Sequence, residues 1–174
     1  MTPTLIVPGI GSSGPAHWQT LWEASDTAFR RVEMPSWERP ELEGWLASLQ
    51  AAVDAASGEP IIVAHSLGCL AVAHYASRGG RARAALLVAP PDPDSAIFPT
   101  EARSFAPVPL VRLPFRTRLV ASRNDPYSTL GFARSCARSW GSDFVDVGPV
   151  GHINAGSGLG AWPEGRALLD DLLE

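Results

Sequence analysis

The chain contains no lysine: all 14 of its basic side chains are arginine, set against 18 Asp and Glu, for a formal net charge of −4. An acidic balance excludes nucleic acid as the main partner, because neutralising phosphates needs a basic face. Cysteine is scarce too. Cys69 and Cys136 fall in segments of helical periodicity and show no metal-ligand spacing. Neither a disulfide framework nor a metal site is therefore expected, and the pair reads as reduced. No apolar run approaches the ~18 residues of a membrane span, and the apolar start of the chain stops at Pro8 with no basic segment before it. Neither a signal peptide nor a membrane partner is expected, and the expected location is cytoplasmic.

What the chain has is enough length for one core. Its 174 residues are 45% hydrophobic and 18% charged, the balance of a globular domain, so residues 1–174 read as a single unit. The 16 glycines and 16 prolines cluster between apolar runs, as tight connections would. Short β-branched runs at 4–7, 29–32, 61–64, 84–89, 118–121 and 144–147 read as strands. Amphipathic segments at 17–24, 41–56, 67–76, 129–140 and 164–173 read as helices, with Pro15 expected at a first helical position. Strands alternating with helices predict α/β architecture around a parallel sheet. Residues 90–115 hold seven prolines and read as a long irregular excursion, too short for a cap domain.

The sharpest local signal is Ala64-His65-Ser66-Leu67-Gly68, where the third strand passes into a helix. A nucleophile elbow needs small residues two before and two after the serine, because strand and helix backbones pass closely there. Glycine is usual at the first small position, and Ala64 keeps the steric requirement. Ser66 could equally be a helix N-cap. The partners decide for chemistry. Strand five ends in Ser122-Arg123-Asn124-Asp125-Pro126 and strand six in Gly148-Pro149-Val150-Gly151-His152. Ser66, Asp125 and His152 therefore follow strands in hydrolase order and share the carboxyl edge of the sheet, where open α/β folds bind ligands. Asp143 and Asp146 sit beside or within the last strand and are poorer candidates. The backbone N–H groups expected to hold an oxyanion are those of Leu67 and, after the first strand, Ile10, with Gly9 or Gly11 as substitutes.

The strings PGIGSSGPAHWQTLWE, AHSLG, ASRNDPY and GHINAGSGLGAWPEG together resemble the small YdeN-like serine hydrolases, a group that includes the retinoblastoma-binding-protein hydrolases. The resemblance spans nearly the whole chain. It implies a three-layer α/β-hydrolase fold with a six-stranded parallel sheet in order 2-1-3-4-5-6 and no cap domain. By position it places the family's triad on Ser66, Asp125 and His152. The retinoblastoma-binding label does not carry over, since the LxCxE pattern is absent; the nearest string, Leu67-Gly68-Cys69-Leu70, is followed by Ala71 where the acid would stand.

Other features compete for attention. Gly9-x-Gly11-x-x-Gly14, with Glu33 further on, matches a dinucleotide fingerprint, although Pro15 places the helix after the third glycine. His17 and Trp18 either border the site or open a helix packed on the sheet. His65 is expected to point away from the triad, and His74 to be structural. Ile97, Phe98 and Phe105 either line an acyl pocket or pack the excursion, and Asn154 could brace the histidine loop through a turn. The reading is a serine hydrolase of small-molecule carboxylic esters or amides, without metal or organic cofactor. A non-catalytic protein-binding module is the alternative.

Overall fold

A computed structural model describes residues 2–174. Six strands, β1 (Thr4–Val7), β2 (Phe29–Arg31), β3 (Ile61–His65), β4 (Ala84–Val88), β5 (Arg116–Ala121) and β6 (Asp143–Asp146), form one sheet. The order is β2-β1-β3-β4-β5-β6 and every pairing is parallel. The helices are α1 (Trp18–Ser25), α2 (Leu42–Asp54), α3 (Leu67–Ser77), α4 (Leu130–Trp140) and α5 (Pro163–Leu173). This is the three-layer architecture expected.

The two-residue period of a strand explains the layering. Ile62 and Ala64 of β3, with Leu5, Val7, Ala85, Leu87 and Leu119, pack against α2, α3 and α4. Their alternates Ile61, Val63, Ile6, Leu86 and Val120 pack against Trp18 and Trp22 of α1 and Leu169 and Leu172 of α5. Both faces of the central strands are covered, and β1, β3 and β4 are accordingly buried along their whole length.

Two details differ from the sequence expectation. Pro15 is not a first helical residue; residues 15–16 form a turn, and α1 starts at Trp18 with His17 as N-cap. The proline-rich excursion is not wholly irregular, because Thr100–Phe105 closes into a 3-10 helix. Phe105 on it is fully buried and meets the Trp45 ring edge-on at 5.3 Å, so it belongs to the core and lines no pocket. No described helix is long and apolar enough to cross a membrane.

Candidate active site

Ser66 sits between β3 and α3 with φ 55° and ψ −125°, a region that non-glycine residues enter only when the surroundings hold them there. Its N–H donates to the Val88 carbonyl of β4 at 2.9 Å. Behind it, a Cβ on Gly68 would lie 2.2 Å from the Val7 carbonyl oxygen. Only glycine lets the first turn of α3 cross the end of β1. Ser66 makes no side-chain cap bond to that helix, which removes the N-cap alternative and leaves its hydroxyl for something else.

That partner is His152. Its Nε2 lies 2.8 Å from Ser66 Oγ, and its Nδ1 lies 2.9 Å from each carboxylate oxygen of Asp125. A ring nitrogen facing an ionised carboxylate carries the proton, so Nε2 is left to accept from the serine hydroxyl. The side chain of Asp125 is 2% exposed and that of His152 10%. The arrangement is a base hydrogen-bonded to a hydroxyl on one side and oriented on the other, which is what activating an oxygen nucleophile requires.

The loops carrying the pair are stitched together by residues the sequence reading passed over. Asn124 Oδ1 accepts from Gly151 N–H at 2.7 Å and from the Ser122 hydroxyl at 3.1 Å. Ser122 Oγ accepts in turn from Val150 N–H at 3.0 Å, and Asp125 Oδ1 from Tyr127 N–H at 2.9 Å. Short polar side chains around a turn acid were the available signal. The Tyr127 ring also packs on the His152 ring, centroids 4.6 Å apart. Asn154 braces its own loop as anticipated, accepting from Gly156 N–H at 3.1 Å. Asp146 is occupied elsewhere. The Arg123 guanidinium hydrogen-bonds it at 2.9 Å and holds its carboxyl below the usual range, helped by Gly148 N–H.

His65 does not point away. Its Nε2–H donates to the His152 carbonyl at 2.9 Å, and the two rings lie 4.9 Å apart. The ring of His17 follows at 4.6 Å from His65, and its Nδ1 accepts from Gln19 N–H at 3.1 Å. Burial, together with His152 and His17 nearby, pushes the His65 pKa well down. Burial, then Arg31 and His152, lowers that of His17 to about 4. Both rings are neutral at neutral pH.

Beside Ser66 runs the loop after β1. A Cβ on Gly9 would meet Ser66 Cβ at 3.0 Å and the Leu67 nitrogen at 3.3 Å, so the Gly9–Ile10 backbone passes over the elbow. Gly11 N–H is committed to the Trp37 carbonyl at 3.2 Å and Ser12 N–H to that of Gly9 at 3.2 Å. The loop is pinned from below. Arg31 donates to the carbonyls of Ser12 and Ser13, and Ser13 Oγ donates to the buried Gln19 at 2.7 Å. Gly14 meets nothing within 4 Å where a Cβ would stand. It does not pack helix against strand, which the third glycine of a dinucleotide fingerprint must do.

A cleft of about 390 Å³ opens over Ser66 and His152. Ile10, His17, Phe98, Tyr127 and Asn154 are among the residues lining it. Trp18 is not. It is buried against Trp22 and Trp162, and its indole N–H donates to the Ile153 carbonyl at 2.8 Å, bracing the histidine loop from behind. Ile97 is 52% exposed and also lies outside the lining. No group of three or more His, Cys, Asp or Glu among the described residues is placed to hold a metal ion.

The strand order, the elbow at Ser66 and the hydrogen-bonded Ser–His–Asp chain define an α/β-hydrolase. The chain belongs to the serine hydrolase family, whose model matches residues 4–171, and its structure is similar to that of hydrolases of YdeN-like type. It is similar to a structure from Pectobacterium atrosepticum named as a YdeN-like hydrolase, with 29% identity, TM-score 0.89, and 99% of this chain and 91% of that one covered. The ydeN gene product of B. subtilis is 19% identical, with TM-score 0.80 and 99% and 98% covered. A monoacylglycerol lipase of Paleococcus ferrophilus is 13% identical, with TM-score 0.75 and 99% and 95% covered. The last two likenesses are of fold alone. None of the curated proteins compared matches the chain significantly.

Proposed function

We propose that this hydrolase cleaves carboxylic esters through an acyl-serine intermediate, with Ser66 as nucleophile, His152 as general base and acid, and Asp125 orienting the imidazole. The observation that carries this is the unbroken chain of short contacts, 2.8 Å from Ser66 Oγ to His152 Nε2 and 2.9 Å from His152 Nδ1 to Asp125. His152 takes the hydroxyl proton as Ser66 attacks the carbonyl, then returns it to the leaving oxygen. Asp125 keeps the proton on Nδ1 and stabilises the imidazolium. Water, activated by the same nitrogen, releases the acid. The backbone N–H groups of Leu67 and Ile10 hold the developing oxyanion. Leu67 N–H opens α3, where the first amides have no partner within the helix, and Gly11 N–H, the substitute, is spent on Trp37. Esters rank before amides because an alcohol leaves more readily than an amine.

Labelling of the purified protein with a fluorophosphonate probe tests the reading, beside folded Ser66→Ala and His152→Ala variants. Labelling confined to the wild type supports it. A folded wild type that stays unlabelled while a known serine hydrolase reacts overturns it.

A further inference from the structure

The cleft carries no charge of its own. Its lining is drawn from glycine, proline and alanine, from Ile10, Leu67 and Phe98, and from neutral polar residues such as Ser13, Tyr127 and Asn154; no Asp, Glu or Arg contributes. Two formal charges near it, those of Asp125 and Arg31, are already engaged. Asp125 is 2% exposed and bonded to His152, and Arg31 is 12% exposed, paired with Glu23 at 2.9 Å and donating to the loop carbonyls. The lining histidines other than His152 supply no positive charge either, since burial keeps both His17 and His65 neutral.

Sheet topology gives the cleft two unlike walls. β1 and β4 flank β3, so the loops leaving them rise on opposite sides of Ser66. The β4 side presents Pro91, Phe98, Pro99 and Ala102, an apolar wall. The β1 side presents the glycine-rich loop with Ser13, and it is joined to Asn154 and Gly156 through the Trp18–Ile153 bond. Ile10 stands on that side too, so the wall is uncharged but mixes polar and apolar groups.

We infer that the site takes uncharged esters that lay an apolar group on the β4 side of the scissile carbonyl and any neutral group on the other, and that it rejects substrates ionised close to that carbonyl. The inference deepens the esterase reading and rests on it. An ion brought into such a cleft loses hydration and finds no counter-charge, a cost absent for its neutral isostere. Selection therefore works by exclusion, against carboxylates and ammonium groups alike.

Matched pairs test this on the intact protein. Acetylthiocholine is compared with its carbon isostere, in which a tert-butyl group replaces trimethylammonium; para-acetoxybenzoate is compared with its methyl ester. Each rate is normalised to alkaline hydrolysis. The expected result is a kcat/KM for each ion about tenfold or more below that of its neutral partner. Ionised and neutral members hydrolysed within about threefold of each other overturn the inference, as does a preference for either ion. Fluorophosphonate labelling separates the two levels. A protein that labels but turns over no neutral ester overturns the substrate class and leaves the activated serine standing; one that does not label loses both.

Discussion

Ser66 is the residue where function and stability pull in opposite directions. Its φ of 55° is held by the Val88 bond and by the crossing at Gly68, at a strain of ~1–3 kcal/mol. Glycine relieves that strain and gives back ~0.5–1 kcal/mol through the freer unfolded chain. Ser66→Gly should therefore be about 1 kcal/mol more stable than the wild type, with a Tm roughly 2–4 °C higher, and inert to fluorophosphonate. Ser66→Ala keeps the Cβ and the strain, so it should be inert without the gain. Thermal melts of the three proteins check this; a glycine variant melting at or below the wild type shows the turn to be unstrained. His65 offers a second test at this scale. His65→Phe fills the space but leaves the His152 carbonyl without its donor, a loss of about 1–3 kcal/mol, whereas His65→Gln keeps an N–H. The expected pattern is a fall in kcat for Phe with KM little changed, partly restored by Gln. Equal kcat values in two folded variants would make the bond incidental.

Among the elements, the tie between α1 and the histidine loop carries the most. Trp18 donates to the carbonyl of Ile153, a fully buried residue with φ 50° that follows His152. Trp18→Phe keeps most of the packing and orphans that carbonyl, so about 1–2 kcal/mol of stability should go. The loop at 151–155 should exchange its amide hydrogens faster, and kcat should drop. Unchanged exchange there would mean that the loop holds itself. β1 and β3 were legible as short β-branched runs and α2 as an apolar stripe, whereas β2 and the all-round buried α3 were legible only from their place in the alternation. The candidate Ser, Asp and His were legible because Ser66 directly follows β3 while Asp125 and His152 lie in the loops leaving β5 and β6. The bracing role of Trp18 is hidden from the sequence because the contact that explains it spans 135 positions. The side to which Phe105 turns stays open in the sequence for a similar reason: the proline-rich excursion has no periodicity to assign a face, and its partner Trp45 lies in α2. His65 is different, since a signal existed. β3 runs one residue further than expected, and strand alternation puts His65 on the same face as Ile61 and Val63, the face covered by α1.

For the whole molecule, acid should be the weak point, and the histidines say where. His17 and His65 are folded in neutral, and His74 is lowered too, by burial first. A histidine whose folded pKa lies below its unfolded value takes up its proton more readily in the unfolded chain. Its contribution to stability is complete above the unfolded pKa and drains away as the pH falls towards the folded one. For His17 that window runs from 6.5 down to about 4, with an upper bound of roughly 3 kcal/mol at its lower end. The structural reason is specific, because protonating Nδ1 destroys the acceptor that caps α1 through Gln19 N–H. Asp26 and Asp146 are held below the usual carboxylate range by Ala28 N–H and Arg123 respectively, so their contributions fade only at lower pH and do not blur the histidine window. Urea unfolding should thus show a steep loss of stability between about pH 6.5 and about pH 4. His17→Asn retains a capping oxygen without a titrating ring, and its profile over that interval should be flatter than the wild type's while its stability at neutral pH stays close. Parallel profiles would mean that His17 is already charged or solvated in the folded protein, and the acid sensitivity would then fall to His65 and the groups around it.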